Sequence, residues 1–119
     1  NFVDCSVGRA YRLDNARLRR VLDYVERNLE DEITVAGLAV RANLSEFHFT
    51  RMFTAAVGIP PYRYVSRRRL ENAMALLAAG RLPLSEIAFR SGFSSQASFN
   101  RAFRRVTGMT PGAFRRPIR

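Results

Sequence analysis

The chain has 119 residues, enough for one domain or two very small ones, and its 47% hydrophobic content suffices to bury a core, which excludes a disordered polymer. No apolar run approaches the roughly 18 residues that a membrane span needs, and the start lacks the basic-then-apolar pattern of a signal peptide. A formal charge of +10 with a pI near 11.4 calls for a polyanionic partner or a solubilising role, and favours the first.

These bounds set the expected setting: soluble, cytoplasmic, with no membrane partner. The lone cysteine, Cys5, excludes an internal disulfide, and with one histidine in the chain there is no metal-ligand spacing, so neither metal nor cofactor is expected. The sequence shows no carboxylate pair, catalytic triad or glycine-rich phosphate loop, so an enzyme is not expected. It begins with Asn, which fits a piece of a longer protein.

The charge is unevenly placed. Residues 1–50 carry seven arginines against eight acids, whereas residues 51–119 carry thirteen arginines against only Glu71 and Glu86. The positive field therefore belongs to the second part. All 20 basic residues are arginine, a bias that a GC-rich genome and selection for bidentate phosphate and guanine contacts explain equally well.

In chain order, residues 1–16 show no sustained period and read as a linker or arm. The stretch ARLRRVLDYVERNLEDE then puts Leu18, Val21, Leu22, Val25 and Leu29 at helical spacing, which predicts an amphipathic helix. Next, Thr34 is suited to cap a short helix whose Leu38 and Ala39 face inward, and Asn43 is suited to a left-handed turn. Ser45 caps a further helix, 46–57, that Gly58 ends. This is a helix-turn-helix.

Residues 59–80 read as one connecting helix, entered through prolines, running through Val65, Leu70, Ala73, Leu76 and Leu77, and stopped at Gly80. The first plan then returns in PLSEIAFRSGFSSQASFNRAFRRVTG, where Ile87 and Ala88 stand for Leu38 and Ala39, Gly92 for Asn43, and Gly108 for Gly58. The first helices match at an offset of 49 and the second at 50, so one residue is gained at the turn. No strand alternation appears. The expected fold is all-α, about seven helices in two tandem helix-turn-helix subdomains, 17–58 and 81–119, joined by the 59–80 helix.

Both second helices carry the frame Phe-x-Arg-x-Phe, as FTRMF at 49–53 and FNRAF at 99–103. At about 100° per residue the two phenylalanines share one face, which must be buried. From their mean direction Arg51 points about 180° away, Phe47 about 140°, Thr54 about 120° and Thr50 about 80°. In the second unit Arg101 takes the opposed position, with Ala97, Arg104 and Asn100 flanking it. A helix-turn-helix places its second helix in the DNA major groove, where arginine reaches guanine O6 and N7 and asparagine or glutamine reaches adenine N6 and N7. Phe47 either touches a thymine methyl or sugar or packs on a neighbouring helix.

The tandem units resemble the DNA-binding domain of the AraC/XylS family of bacterial transcription regulators. LSEIAFRSGFSSQASFNRAFRRVTGMTPGAFR is similar to that family's signature almost throughout, and LAVRANLSEFHFTRMFTAAVGIPPYRYV resembles the weaker first unit. The resemblance implies base reading of double-stranded DNA by Phe47, Thr50 and Arg51 in the first unit and by Gln96, Ala97, Asn100 and Arg101 in the second. Ala97 is a departure toward a small residue and offers only an apolar contact. Ser45, Thr54, Ser94, Ser95, Arg104, Arg105 and Arg115, with Arg116, are the candidates for phosphate contact. Of Arg67, Arg68 and Arg69, adjacent on one helix, at least one is expected to pair with an acid or cap a packed face. Further expected partners are RNA polymerase and an N-terminal effector or dimerisation domain. A connecting helix of residues 60–79 spans about 30 Å, close to the roughly 34 Å repeat of the major groove, so one chain is expected to reach two successive grooves.

Overall fold

The protein, seen in a computed structural model, is described over residues 14–115; Cys5, most of the expected arm and Arg116 lie outside them. Every regular element among the described residues is helical. In order these are α1 (Asn15–Arg27), α2 (Val35–Arg41), α3 (Glu46–Val57), α4 (Pro61–Ala79), α5 (Leu84–Arg90), α6 (Gln96–Thr107) and α7 (Pro111–Arg115). They form two compact units, and the division falls within α4, after Ser66. Residues 29–32 belong to the second unit.

The first unit is built on α1, α2 and α3. Asp14 Oδ1 accepts the Arg17 amide at 2.8 Å and starts α1, whose Val21 and Val25 are buried. The helix stops at Arg27, because the Asn28 side chain donates to the Tyr24 carbonyl at 2.7 Å and its own amide turns to Val25. This corrects the expected inward stripe: Leu29 is buried, but it lies past the helix end and within the second unit. Thr34 caps α2 by accepting the Gly37 amide at 3.0 Å, and Leu38 and Ala39 face inward.

The turn out of α2 follows from one left-handed residue. Asn43 has φ 60°, which lets the Asn43 amide reach the Val40 carbonyl and the Leu44 amide reach Ala39, satisfying two carbonyls that the helix end would strand. In the second unit Gly92, at φ 84°, does the same, sending its amide to Phe89 and the Phe93 amide to Ala88. Ser45 then caps α3 at the His48 amide and Ser95 caps α6 at the Ser98 amide, and both helices end on a left-handed glycine, Gly58 or Gly108.

The second unit packs the later part of α4, α5, α6 and α7 around Leu70, Ala73, Leu77, Ile87, Ala88, Phe99, Ala102 and Phe103. Leu76, expected on the buried stripe of the connecting helix, is only partly buried against this cluster. Pro61 occupies the first helical position of α4, where its missing amide hydrogen costs nothing, and Gly80 at φ 72° closes the helix. Arg68 pairs with Glu71 at 2.6 Å, as expected of the arginine run, while Arg69 turns to main-chain carbonyls.

The two turns differ in surroundings. The Asn43 side chain is exposed, whereas a Cβ on Gly92 would collide with the Leu29 carbonyl oxygen and the Arg69 guanidinium. Nothing lies within 4 Å of a Cβ on Gly108, which is also left-handed. Gly108→Ala should therefore cost only the backbone strain, about 1–2 kcal/mol, and Gly92→Ala distinctly more. Denaturant unfolding of both variants checks this, and equal losses would contradict the packed turn.

Candidate nucleic-acid interface

The rotation of each second helix is set by its two phenylalanines. Phe49 and Phe53 are 0% exposed, with ring centroids 5.6 Å apart, and Phe99 and Phe103 are likewise 0% exposed at 5.7 Å. Burying four such rings supplies about 1.5–3 kcal/mol each, far more than any surface contact. Everything else on α3 and α6 must point where that burial leaves it. Tyr64 meets the edge of Phe53, and Phe93 and Phe114 close on Phe99 and Phe103 from either side.

The outward faces carry the residues picked from the sequence. On α3, Phe47 and Arg51 are exposed, and Thr50, only about 80° from the core direction, is half-buried. Phe47 retains 66% exposure, so packing on a neighbouring helix does not account for it. The Arg51 guanidinium lies 5.7 Å from its ring centroid, a cation–π distance that steadies both side chains. On α6, Gln96, Ala97 and Arg101 are exposed and Asn100 is half-buried. The Asn100 side-chain oxygen is buried without a partner. Pairing with adenine requires both amide atoms outside, and turning outward releases an oxygen that gains nothing where it is.

The phosphate candidates separate into three groups. Ser94, Arg104 and Arg105 are exposed; among the described residues Arg51, Arg101, Arg104 and Arg105 make no ion pair. Ser45, Ser95 and Thr54 are engaged locally. The first two hydroxyls accept the His48 and Ser98 amides, and Thr54 spends its hydroxyl proton on the Thr50 carbonyl at 2.7 Å. Arg115, also a phosphate candidate, is half-buried, donates to the Leu82 carbonyl, and has its Nε buried without a partner.

Charge compensation sharpens the contrast. Glu71 and Glu86, the two acids of residues 51–119, are held by Arg68 and by Arg90 at 3.0 Å. Neither pairs with Arg101, Arg104 or Arg105. His48 is exposed, with Nδ1 3.1 Å from Ser45 Oγ, and among the described residues no cluster of acids, cysteines and histidines could hold a metal ion.

The partners of two arginines escaped the sequence reading. Arg41 lies 3.6 Å over the Tyr24 ring, and Arg69 donates to the carbonyls of Leu29 and Asp31. Burial pushes the Arg69 pKa down from its ordinary value. Both contacts join residues far apart in sequence, so no local pattern announces them.

Comparison with known proteins gives a consistent assignment. The family described as "Helix-turn-helix domain" matches residues 38–117. The probable transcriptional regulator LumQ of Photobacterium leiognathi is 40% identical over 125 residues, covering 100% of this chain and 50% of LumQ. The chain thus spans about half of that relative. Among solved structures, the DNA-binding domain of the global transcriptional factor AdpA, determined with a target DNA, superposes with a TM-score of 0.79 at 32% identity, over 83% of this chain and 89% of that one. A transcriptional regulator of Chromobacterium violaceum described as having an AraC-type DNA-binding domain gives 0.76 at 26% identity, over 84% and 89%.

The exposed arginines and the buried rings should respond oppositely to truncation. Arg51→Ala and Arg101→Ala should leave the stability of the free protein within about 0.5 kcal/mol, while Phe53→Ala or Phe103→Ala should cost about 3–5 kcal/mol. Urea titration distinguishes them. A loss above about 1 kcal/mol on removing either arginine would mean that it serves the fold.

Proposed function

The chain belongs to the AraC-type family of helix-turn-helix domains, which bind double-stranded DNA sequence-specifically in transcription regulators and are not enzymes; on that premise we propose that α3 and α6 are its two reading helices and enter successive major grooves of one duplex. The observation that carries the reading is the paired frame. In each helix two buried phenylalanines leave an exposed arginine, free of ion pairs among the described residues, on the opposite side.

Arg51 and Arg101 take guanine O6 and N7, the contact that a planar two-pronged donor makes best. Phe47 meets a thymine methyl, and Thr50, Gln96 and Asn100 supply hydrogen bonds to neighbouring base edges, with Ala97 as a small apolar contact. Arg104, Arg105 and Ser94 fix the register on phosphates. Ser45 and Ser95, by holding the first turns of α3 and α6, aim free amides at the backbone. A single chain carries both helices, so one chain is proposed to read a bipartite site.

Among the described residues no helix is long and apolar enough to cross a membrane. The proposed setting is the bacterial cytoplasm, on the nucleoid. An N-terminal effector or dimerisation domain and RNA polymerase complete the proposed regulator, in keeping with the half of LumQ that this chain does not span.

Two measurements test the reading. Affinity for duplex DNA should fall steeply with salt, each neutralised phosphate contributing about 0.9 to the log–log slope, and a flat response would favour a protein-interaction module. On duplexes selected from a random pool, Arg101→Ala should lose about 1–3 kcal/mol and relax one base position, whereas Arg104→Ala should weaken all sequences alike. Equal weakening of every sequence by Arg101→Ala would make that arginine a phosphate contact.

A further inference from the structure

The second unit contains a polar contact that no reading residue uses. Arg69 leaves α4 and donates through Nε to the Leu29 carbonyl at 3.2 Å and through Nη2 to the Asp31 carbonyl at 2.7 Å. Both acceptors belong to the 29–32 segment, which packs with the second unit. Against this bridge lies the turn between α5 and α6. A Cβ at Gly92 would strike both the Leu29 oxygen and the Arg69 guanidinium, so the bridge touches the turn at its only left-handed residue.

The direction in which α6 leaves that turn decides where Arg101 points. We propose that Arg69 is a positioning residue for base reading by the second unit: by pinning the Leu29 carbonyl on the Gly92 turn, it holds α6 at the angle from which Arg101 reaches its base. This rests on the reading of Arg101 as a base contact. The forked guanidinium is suited to the task, because it donates to two carbonyls from one rigid plane, which an ammonium cannot do. In the first unit the corresponding turn residue, Asn43, points its side chain to solvent, so no clamp bears there and the effect is confined to one head.

The test is a double-mutant cycle. The probes are the duplex that the unaltered protein selects from a random pool and its single-base variants, and the proteins are Arg69→Met, Arg101→Ala and the combination. Arg69→Met should weaken the selected duplex roughly tenfold, flatten the preference at the base that Arg101 reads, and leave the preference read by Arg51 intact. In the Arg101→Ala background the same change should add little. Multiplicative losses in the double variant, spread over all positions, would overturn the proposal. If Arg101→Ala alone flattens no base position, the base-contact reading fails, whatever Arg69 does. Arg69→Lys, which keeps the charge and one bond, guards against misfolding: it should partly restore the Arg101-dependent preference, and a preference identical to that of the unaltered protein would also overturn the clamp.

Discussion

The arrangement depends on the burial of two phenylalanines four residues apart on each of two helices. A helix lying on a core is free to roll unless something large and specific fixes its rotation, and Phe49 with Phe53, like Phe99 with Phe103, does so because both rings must leave water together. Once the roll is fixed, the remaining positions are assigned by the 100° step alone. Arg51 and Arg101 face outward, Thr50 and Asn100 fall on the boundary, and the observed exposures follow that order. The outward arginines are thus held by packing they take no part in. A stable core and a surface free for a partner are compatible because they occupy opposite sides of the same helix.

Much of this was legible because the decisive signals are local. Ser45 and Thr34 cap the helices that follow them, and Asn43, Gly58, Gly92 and Gly108 take the left-handed conformations that their turns require, each within a few residues of the feature it controls. The phenylalanine frames are legible for the same reason, being separated by one helical turn. The end of α1 was not. Leu29 continues the apolar period, but the Asn28 side chain donates to the Tyr24 carbonyl and stops the helix, a competition that periodicity does not register. Arg115 and Arg69 were equally opaque. Their acceptors lie 33 and about 40 residues away, and sequence shows charge without showing where the charge is spent.

The duplicated units are similar in plan and different in detail. Both turns out of the first helix use the same two main-chain hydrogen bonds, so the geometry tolerates either Asn or Gly at the left-handed position. What discriminates is the space above it: open at Asn43, filled by a carbonyl and a guanidinium at Gly92. The outward faces also diverge, with an aromatic ring beside the arginine in one and small or amide side chains in the other. On the proposed reading, two such faces suit a site of two unlike halves better than a symmetric one.

Guanine N7 methylation interference on a selected duplex probes the account most directly, since N7 lies in the major groove and is the atom an outward arginine engages. The account predicts two guanine positions, about one helical turn apart, at which methylation blocks binding, one ceasing to matter for Arg51→Ala and the other for Arg101→Ala. Binding indifferent to N7 methylation, or interference unchanged by either substitution, would show that these arginines do not read the groove.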